Sequence, residues 1–512
     1  MEEKLMKRIL AIVLCAALSL SALVGCAGNA ANTEVTVWFL GASVTDDTDV
    51  VEAANTRLKE LGLNITINPI WGDWGAGEPI QLALDTGDTN IDVVFTCSWA
   101  VNFSVNAETG NFVLLDDPEN NLLEKHGKAL KEAVPQMLWD AFTVQGPLGR
   151  GIYGIPGVKD YAQQYSWDVN NTRLAELGFD FDSFDWSSDT IFDPKFEAAM
   201  AAAKEMYGDN FFPFAIEGEA SARRLSDSDG IPGAFGSFFG FFDPANPAMP
   251  QDPIVGLGLE NDRYIRILEH LNKFYEAGYI DPRIAISAEA GNVRNEQINS
   301  GNYLFADMTY AYGYTAQAQA QRELDVRFPP LSKAIVSTGS AQGSGFAIPV
   351  FSQKKDAAMQ FVNAWYTDTE LATILCYGVE DTHYTKNSDG TITLDHEVRG
   401  AKFQPWRNGQ GNIFILPPQD VEGVGYFDRF AAYNAAGIPT TFMGFVFDAS
   451  SVATETAALA NIHAELNHVL TVGAVDPALA VPEFLARLKD NGIDILRDEL
   501  NRQLQEFYAS RR

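Results

Sequence analysis

Glu34-Val-Thr-Val-Trp-Phe39, Asn64-Ile-Thr-Ile-Asn-Pro-Ile70 and Ile91-Asp-Val-Val-Phe95 are three short apolar segments, and the stretches between them decide the fold. From Val50 to Leu61 apolar residues recur at Val51, Ala54, Leu58 and Leu61, which is helical spacing, and Gly62 closes the run. Ile80 to Leu84 reads as a second, shorter helix. Ile91 to Phe95 is nearly continuous in its hydrophobicity, as in strands that a parallel sheet buries on both faces. Strand, helix, strand, helix, strand is the α/β pattern, and such sheets bind ligands outside the carboxyl ends of their strands.

The alternation continues along the chain. Tyr153-Gly-Ile-Pro156 reads as a strand or crossover, followed by a Trp/Tyr-rich stretch and helices over 171–177 and 196–207. Residues 211–242 are rich in Gly, Phe and Pro, which predicts loops and short helices. Tyr264, Ile267, Leu268, Leu271 and Tyr275 line one face of a helix over 262–277. Tyr303-Leu-Phe-Ala306 and Gly345-Phe-Ala-Ile-Pro349 are further strands, the second leading into a helix over 355–366. Asn387-Ser-Asp-Gly390 between Tyr384 and Thr391-Ile-Thr-Leu394 marks a hairpin. From Pro482 to Tyr508, Leu496, Leu500, Leu504 and Phe507 share a face, so the chain ends in packed helices.

The 512 residues carry 68 Asp and Glu against 36 Lys and Arg, a formal net charge of -32 that would repel a phosphate backbone and argues against nucleic acid as a partner. Six His and four Cys argue against a disulfide scaffold or a rich transition-metal enzyme. There is no Gly-rich dinucleotide or phosphate loop, no Gly-x-Ser-x-Gly elbow and no His-Glu-x-x-His. Asp227-Ser-Asp-Gly230 resembles part of a calcium loop, but Leu225 and Gly236 occupy the positions of its first and last ligands, so it reads as a turn. No catalytic residue, metal or cofactor is assigned.

The N-terminus sets the compartment. Lys4, Lys7 and Arg8 precede an apolar run from Ile9 to Val24, the layout of a secretory signal. The run ends in Leu23-Val24-Gly25-Cys26, which matches a bacterial lipobox, and the small polar stretch 27–33 follows as a tether. Residues 1–25 are therefore expected to be a signal peptide, and Cys26 a lipidated anchor on the extracytoplasmic face of the cell membrane. Cys97 and Cys376 remain, either paired or as separate buried thiols.

Asp85-Thr-Gly-Asp-Thr-Asn-Ile-Asp-Val-Val-Phe95 followed by a Trp, Gly151-Ile-Tyr-Gly-Ile-Pro156, Tyr165 to Gly178 and Ser344-Gly-Phe-Ala-Ile-Pro349, together with the lipobox, resemble the extracellular solute-binding proteins of ABC importers. Tyr377-Gly-Val-Glu-Asp-Thr-His-Tyr384, Gly444-Phe-Val-Phe-Asp448 and the helices over 488–507 are similar to its LipO-type subgroup. The resemblance implies a two-lobe, periplasmic-binding-protein-like α/β fold with an interlobe ligand cleft and hinge crossings near 154–157, 340–344 and 378–382. One lobe would comprise 34–155 with 343–380, the other 156–342 with 381–512. It further implies a non-enzymatic carrier that hands its solute to permease subunits in the membrane. A saccharide is the expected ligand; a peptide or another polar metabolite, or a secreted glycosidase in place of a carrier, are the alternatives.

A sugar presents a face of C–H groups and a rim of hydroxyls, so its site needs aromatic platforms and fixed polar partners. Trp99, just past the 91–95 strand, is the foremost candidate, with Trp71 and Trp74 in the loop after the second strand. Lys159, Tyr161 and Trp167 follow the first crossing, and Tyr310 and Tyr312 follow the 303–306 strand. Phe238 beside Phe239 in a Gly-rich loop, and Trp406 beside Arg407, complete the set.

Overall fold

The computed structural model describes residues 32–231, 239–242, 256–286, 290–310 and 312–510. Residues 1–31, with the signal segment and Cys26, and Phe238 lie outside the described residues.

The opening alternation forms as expected. Strand β1 (Thr33–Phe39), helix α1 (Thr48–Glu60), β2 (Ile65–Trp71), α2 (Gly77–Thr86) and β3 (Val93–Thr96) follow in order. β1 pairs in parallel with both β2 and β3, with Val35 beside Ile67 and Val37 beside Val93. After α3 (Phe103–Glu108), the next strand of the same sheet is β4 (Ile155–Pro156). β5 (Gln164–Asn170), α4 (Pro194–Tyr207), β6 (Phe214–Ala215), α5 (Glu219–Leu225), α6 (Asp262–Glu276), α7 (Ala290–Asn299), β7 (Phe305–Tyr310) and β8 (Val326–Arg327) build a second unit. The chain returns through α8 (Thr338–Ala341) into β9 (Gly345–Ala347), α9 (Lys355–Thr367) and α10 (Thr369–Tyr377). It ends in α11 (Tyr426–Ala436), α12 (Ala453–Thr471), α13 (Pro477–Asp490) and α14 (Ile493–Ser510).

Two sheets organise these elements. The first has the order β2-β1-β3-β9-β4, with β9 antiparallel to both neighbours, so a strand from residue 345 onward completes a sheet begun at residue 33. Asp92 is fully buried at the start of β3, where its carboxylate accepts from the Thr36 N–H, Ser352 Oγ and Lys354 Nζ at 2.9, 2.6 and 2.9 Å. That one carboxylate ties β1 and β3 to the approach of α9, and its charge is matched within the site, as a buried ion requires. The second sheet has the order β8-β5-β7-β6, with β5 antiparallel to β7 and β7 parallel to β6.

Two cores follow the sheets. The first gathers Val35, Phe39, Phe95, Phe346, Phe361 and Trp365; the second gathers Trp167, Phe196, Phe214, Leu268, Phe274 and Phe305. Packing divides the segment beyond residue 380. Tyr384, Ile392, Phe403, Ile413, Tyr426 and Phe430 join the first core, and only from Phe442 onward do Phe445, Leu459, Phe484 and Leu504 join the second.

Several sequence readings change locally. The packed helices expected at the tail are Pro477–Asp490 and Ile493–Ser510, separated at Asn491-Gly492, where Gly492 has φ +92°. The 303–306 strand begins at Phe305 and runs to Tyr310, since Tyr303 and Leu304 are buried before pairing starts. The turn expected over 227–230 is confined to Asp227, at φ +52°, and Ser228–Gly230 pairs as a strand with Phe239–Phe242. Cys97 and Cys376 are separate buried thiols, and burial pushes them up to about 11 and about 12. Among the described residues no helix is long and apolar enough to cross a membrane.

Candidate ligand site

The loops leaving the carboxyl ends of β1, β2 and β3 converge. Gly41 follows β1, Trp74 follows β2 and Trp99 follows β3. The Trp99 loop is held rigidly: Cys97 N–H donates to the Val101 carbonyl at 3.0 Å, Thr96 Oγ1 donates to the same carbonyl at 2.7 Å, and Asn102 caps α3. In the Trp74 loop, Asp73 Oδ1 accepts from the Gly75 N–H at 2.9 Å. Trp406 reaches the same place from the far end of the sequence, its N–H donating to the Gly41 carbonyl at 3.1 Å.

The three indoles form a cluster. Ring centroids lie 5.2 Å apart for Trp74 and Trp406, 6.0 Å for Trp99 and Trp406, and 6.2 Å for Trp74 and Trp99, and Phe95 packs against Trp99 and Trp406. Gly41 makes the approach possible. It has φ +79°, and a Cβ there would meet Trp74 at 3.0 Å and the Cβ of Trp406 at 3.2 Å. Despite this packing Trp74 is 61% and Trp99 52% exposed. Rings this large, exposed together and rigidly backed, are what a stacking ligand needs.

A polar path leads away from them. Trp99 Nε1 donates to the Gly343 carbonyl at 2.9 Å, and Ser98 bonds to the Gly339 and Gln342 carbonyls, so the loop is tied to the segment carrying α8. A Cβ on Gly343 would come within 3.2 Å of Lys159 Nζ. The buried Lys159 pairs with Asp160 at 2.9 Å, and Asn408 donates to the same Asp160 oxygen at 3.2 Å. Asn434 of α11 holds this turn, donating to the Lys159 carbonyl at 2.8 Å and accepting from the N–H groups of Tyr161 and Ala162.

Beyond Asp160 lies a second aromatic group. Tyr312 stacks on Phe430 at 5.2 Å and meets Tyr433 at 5.3 Å, and its carbonyl accepts from Tyr426 Oη. Tyr310 rests on Phe328, its hydroxyl 3.3 Å from Thr315 Oγ1. Burial, with the nearby Tyr310 and Asp160 adding to it, pushes the Tyr433 phenol up to about 12, and its hydroxyl makes no hydrogen bond. Burial likewise raises the Tyr161 phenol. These hydroxyls stay neutral over the physiological range and can act as donors to a ligand.

A family model described as a domain of unknown function (DUF3502) matches residues 441–509. A carbohydrate ABC transporter substrate-binding protein of Streptococcus pneumoniae is 26% identical over 477 residues, covering 91% of this chain and 89% of the relative. Among solved structures, the N-glycan transport solute binding protein NgtS of Streptococcus pneumoniae, in complex with Man1GlcNAc, aligns with a TM-score of 0.76 at 23% identity, over 93% of this chain and 100% of that one. The alginate-binding protein AlgQ2 aligns with a TM-score of 0.64 at 16% identity, over 94% and 98%. The chain has the two-lobe solute-binding-protein fold. In this solute-binding fold the carboxyl ends of β1, β2 and β3 are the places where the indoles stand.

Of the residues singled out from sequence, the solute-binding fold brings Trp74, Trp99 and Trp406 into one cluster, and connects Lys159, Tyr161, Tyr310 and Tyr312 to it through Gly343, Asp160 and Tyr433. Two residues require correction. Trp167 is 0% exposed, its ring 5.0 Å from Phe196 and its N–H on the Ser187 carbonyl, so no face is left for a ligand. Trp71 stacks on Phe39 at 4.3 Å, edges onto Phe403 and donates to Asp47 at 2.8 Å, which makes it a packing residue between β2 and the outer layer. Phe239 is sealed in the second core, and Phe238 lies outside the described residues. Arg407 is half-buried and paired with Glu422 at 2.6 Å, with the hydroxyls of Tyr377 and Tyr426 beside it. Sequence reading missed Asp160, Asn408, Tyr433 and Asn434; only Asp160, next to Lys159, carried a local signal.

Proposed function

We propose that the protein is the solute-binding component of an ABC importer, which captures a saccharide between its lobes and hands it to permease subunits without chemistry of its own. The observation that carries this reading is the exposed pair Trp74 and Trp99 after the carboxyl ends of β2 and β3, backed by the half-buried Trp406 and linked to a tyrosine group by the Lys159, Asp160 and Asn408 spine. Indole faces desolvate the C–H face of a sugar ring, and the spine supplies fixed donors and acceptors for its hydroxyls. The relative from Streptococcus pneumoniae, a carbohydrate ABC transporter substrate-binding protein, and the glycan bound to NgtS point the same way. Ligand capture would shift the population toward a closed state by engaging both lobes at once.

Cys26 would carry the lipid that keeps the protein on the outer face of the cell membrane, within reach of the permease. Core packing supports drawing the first lobe to include residues 381–430, with the third crossing near 440 and not at 378–382. The test is a thermal-shift screen of the mature protein with Man1GlcNAc, Man5GlcNAc, kestose and a set of peptides. A ligand that binds only the native state raises Tm by mass action. Stabilisation by a saccharide is expected; stabilisation by peptides alone would overturn the proposal.

A further inference from the structure

A turn of the second lobe reaches into the first core. Strand β7 ends at Tyr310, and the helix Tyr314–Arg322 follows. Both flanks are tied to the second sheet: β7 pairs along β5, Arg322 Nη1 donates to the Asp168 carboxylate of β5 at 2.9 Å, and Gln319 Nε2 donates to the Val326 carbonyl of β8 at 3.0 Å. Between them, Tyr312 leaves that lobe and packs against the core of the other.

Its seat is one face of α11. Tyr426, Phe430 and Tyr433 recur there at helical spacing, and the Tyr312 ring lies 5.7, 5.2 and 5.3 Å from theirs. Tyr426 Oη donates to the Tyr312 carbonyl at 2.9 Å, and Arg407 Nη2 donates to that hydroxyl at 3.4 Å while its other arm holds Glu422. The helix is fixed in turn, since Phe430 is buried and packs on Phe414 at 5.1 Å.

Gly313 fits the turn to that face. It has φ +79°, in the left-handed region, and a Cβ there would stand 2.5 Å from the Tyr426 ring and 2.6 Å from its hydroxyl. Tyr426 is buried against Phe427 and Phe430, so its ring has no room to move aside. A ring stack, a hydrogen bond and a close backbone approach thus join groups that belong to different lobes. The flanks of the turn travel with the second sheet and α11 travels with the first core, so a rotation that parts the lobes pulls Tyr312 off its seat. Neither Gly313, which has no side chain, nor the buried Tyr426 reaches a ligand stacked on Trp74 and Trp99.

We infer that the Tyr312–Gly313 turn is a latch between the lobes, whose seat on α11 keeps a share of the ligand-free protein closed and so sets the affinity for the saccharide. Its link to affinity rests on the saccharide-carrier reading above. A ligand that needs the closed state binds more weakly in proportion as that state is less populated. Gly313→Ala and Tyr426→Phe loosen the seat from its two sides. Small-angle scattering of the mature wild type and both variants, without sugar and with saturating Man1GlcNAc or Man5GlcNAc, is paired with calorimetry on the same glycans. Each variant is expected to show a larger radius of gyration than wild type without sugar and to return to the wild-type value when saturated, which an unfolded variant would not do. Affinity should fall about tenfold for Gly313→Ala, through backbone strain and the clash, and about fivefold for Tyr426→Phe, through one lost hydrogen bond. If both variants keep the wild-type radius without sugar, the latch is wrong and the carrier reading stands. A larger radius with unchanged affinity would overturn the link between latch and ligand. If the wild type binds neither glycan, the carrier reading fails, while the sugar-free radii still decide whether the turn latches the lobes. Should Gly313→Ala fail to fold, Tyr426→Phe, which removes one oxygen from an intact ring, decides alone.

Discussion

Trp99 and Trp167 are both attached to strands of a parallel or mixed sheet, yet one exposes half its surface and the other none. Trp99 stands three residues beyond the end of β3, in a loop whose backbone bonds are closed locally, so its ring projects past the sheet. Trp167 lies in the middle of β5, where six of the seven residues are buried, and its ring fills the space between Phe196 and Phe214. Trp99 therefore leaves its ring open to contact, and Trp167 is given over to the cohesion of the second core. Position relative to the strand terminus, and not residue type, separates the two uses.

The contrast breaks most visibly if the second core is dismantled. Ending the chain after residue 440 removes Phe442, Phe445, Leu459, Leu470, Phe484, Leu488, Leu500 and Leu504 from that core. At about 1.5–3 kcal/mol for each buried large side chain, the loss is as large as or larger than the ~5–15 kcal/mol that holds a typical domain folded. The truncated protein should lack a cooperative melt by circular dichroism and be cleaved rapidly within 160–330 by a broad-specificity protease. Next in size is Trp167→Ala, expected to cost about 3–5 kcal/mol as a deletion in a close-packed core. Its denaturation midpoint should fall, while saccharide affinity of the folded fraction stays near that of wild type. Trp99→Ala should do the reverse: affinity lowered by about tenfold or more in calorimetry, with Tm held within about 2 °C. Tyr310→Ala should follow Trp99→Ala in direction with a smaller loss, about fivefold, since a tyrosine platform is smaller. Equal behaviour of Trp99→Ala and Trp167→Ala in both assays would erase the distinction.

The smallest expected effect lies at Glu108, near Asp448. Burial and then the nearby Asp448 push Glu108, at the end of α3, up to about 7 from an ordinary 4.5. The folded state therefore binds this proton more tightly than the unfolded chain. Its stabilising contribution is full below about pH 4.5 and is lost as pH rises through about 7. Glu108→Gln should raise Tm slightly at pH 7.5 and flatten the Tm profile between pH 4.5 and 7; an unchanged profile would show that Glu108 titrates normally.

Periodicity made the first lobe legible: β1, α1, β2, α2 and β3 form within two or three residues of the readings, because each buries one face with a clear repeat. The exposure of Trp74 and Trp99 was legible because both follow strand ends, where side chains project past the sheet. Trp167 misled because β5 was hidden: Asp168 and Asn170 are buried within it, and polar residues mask a strand whose charges are matched from elsewhere, here by Arg322 bonded to Asp168 at 2.9 Å. Asp307 disguised the full length of β7 in the same way. Trp406 was nominated on its own, but its place beside Gly41, 365 positions away in the chain, is a tertiary fact with no local trace. Asn434, which holds the Lys159 turn from α11, is likewise silent in sequence.

The bond from Trp99 Nε1 to the Gly343 carbonyl has a chemical corollary. An indole owns a single donor, and here the backbone already occupies it. A sugar at Trp99 would meet only its π face, which reads whether a pyranose ring offers a flat patch of axial C–H bonds and not the hydroxyl configuration around the rim. Epimers that keep that patch should pass Trp99 alike, and stereochemical discrimination must come from the polar groups around it.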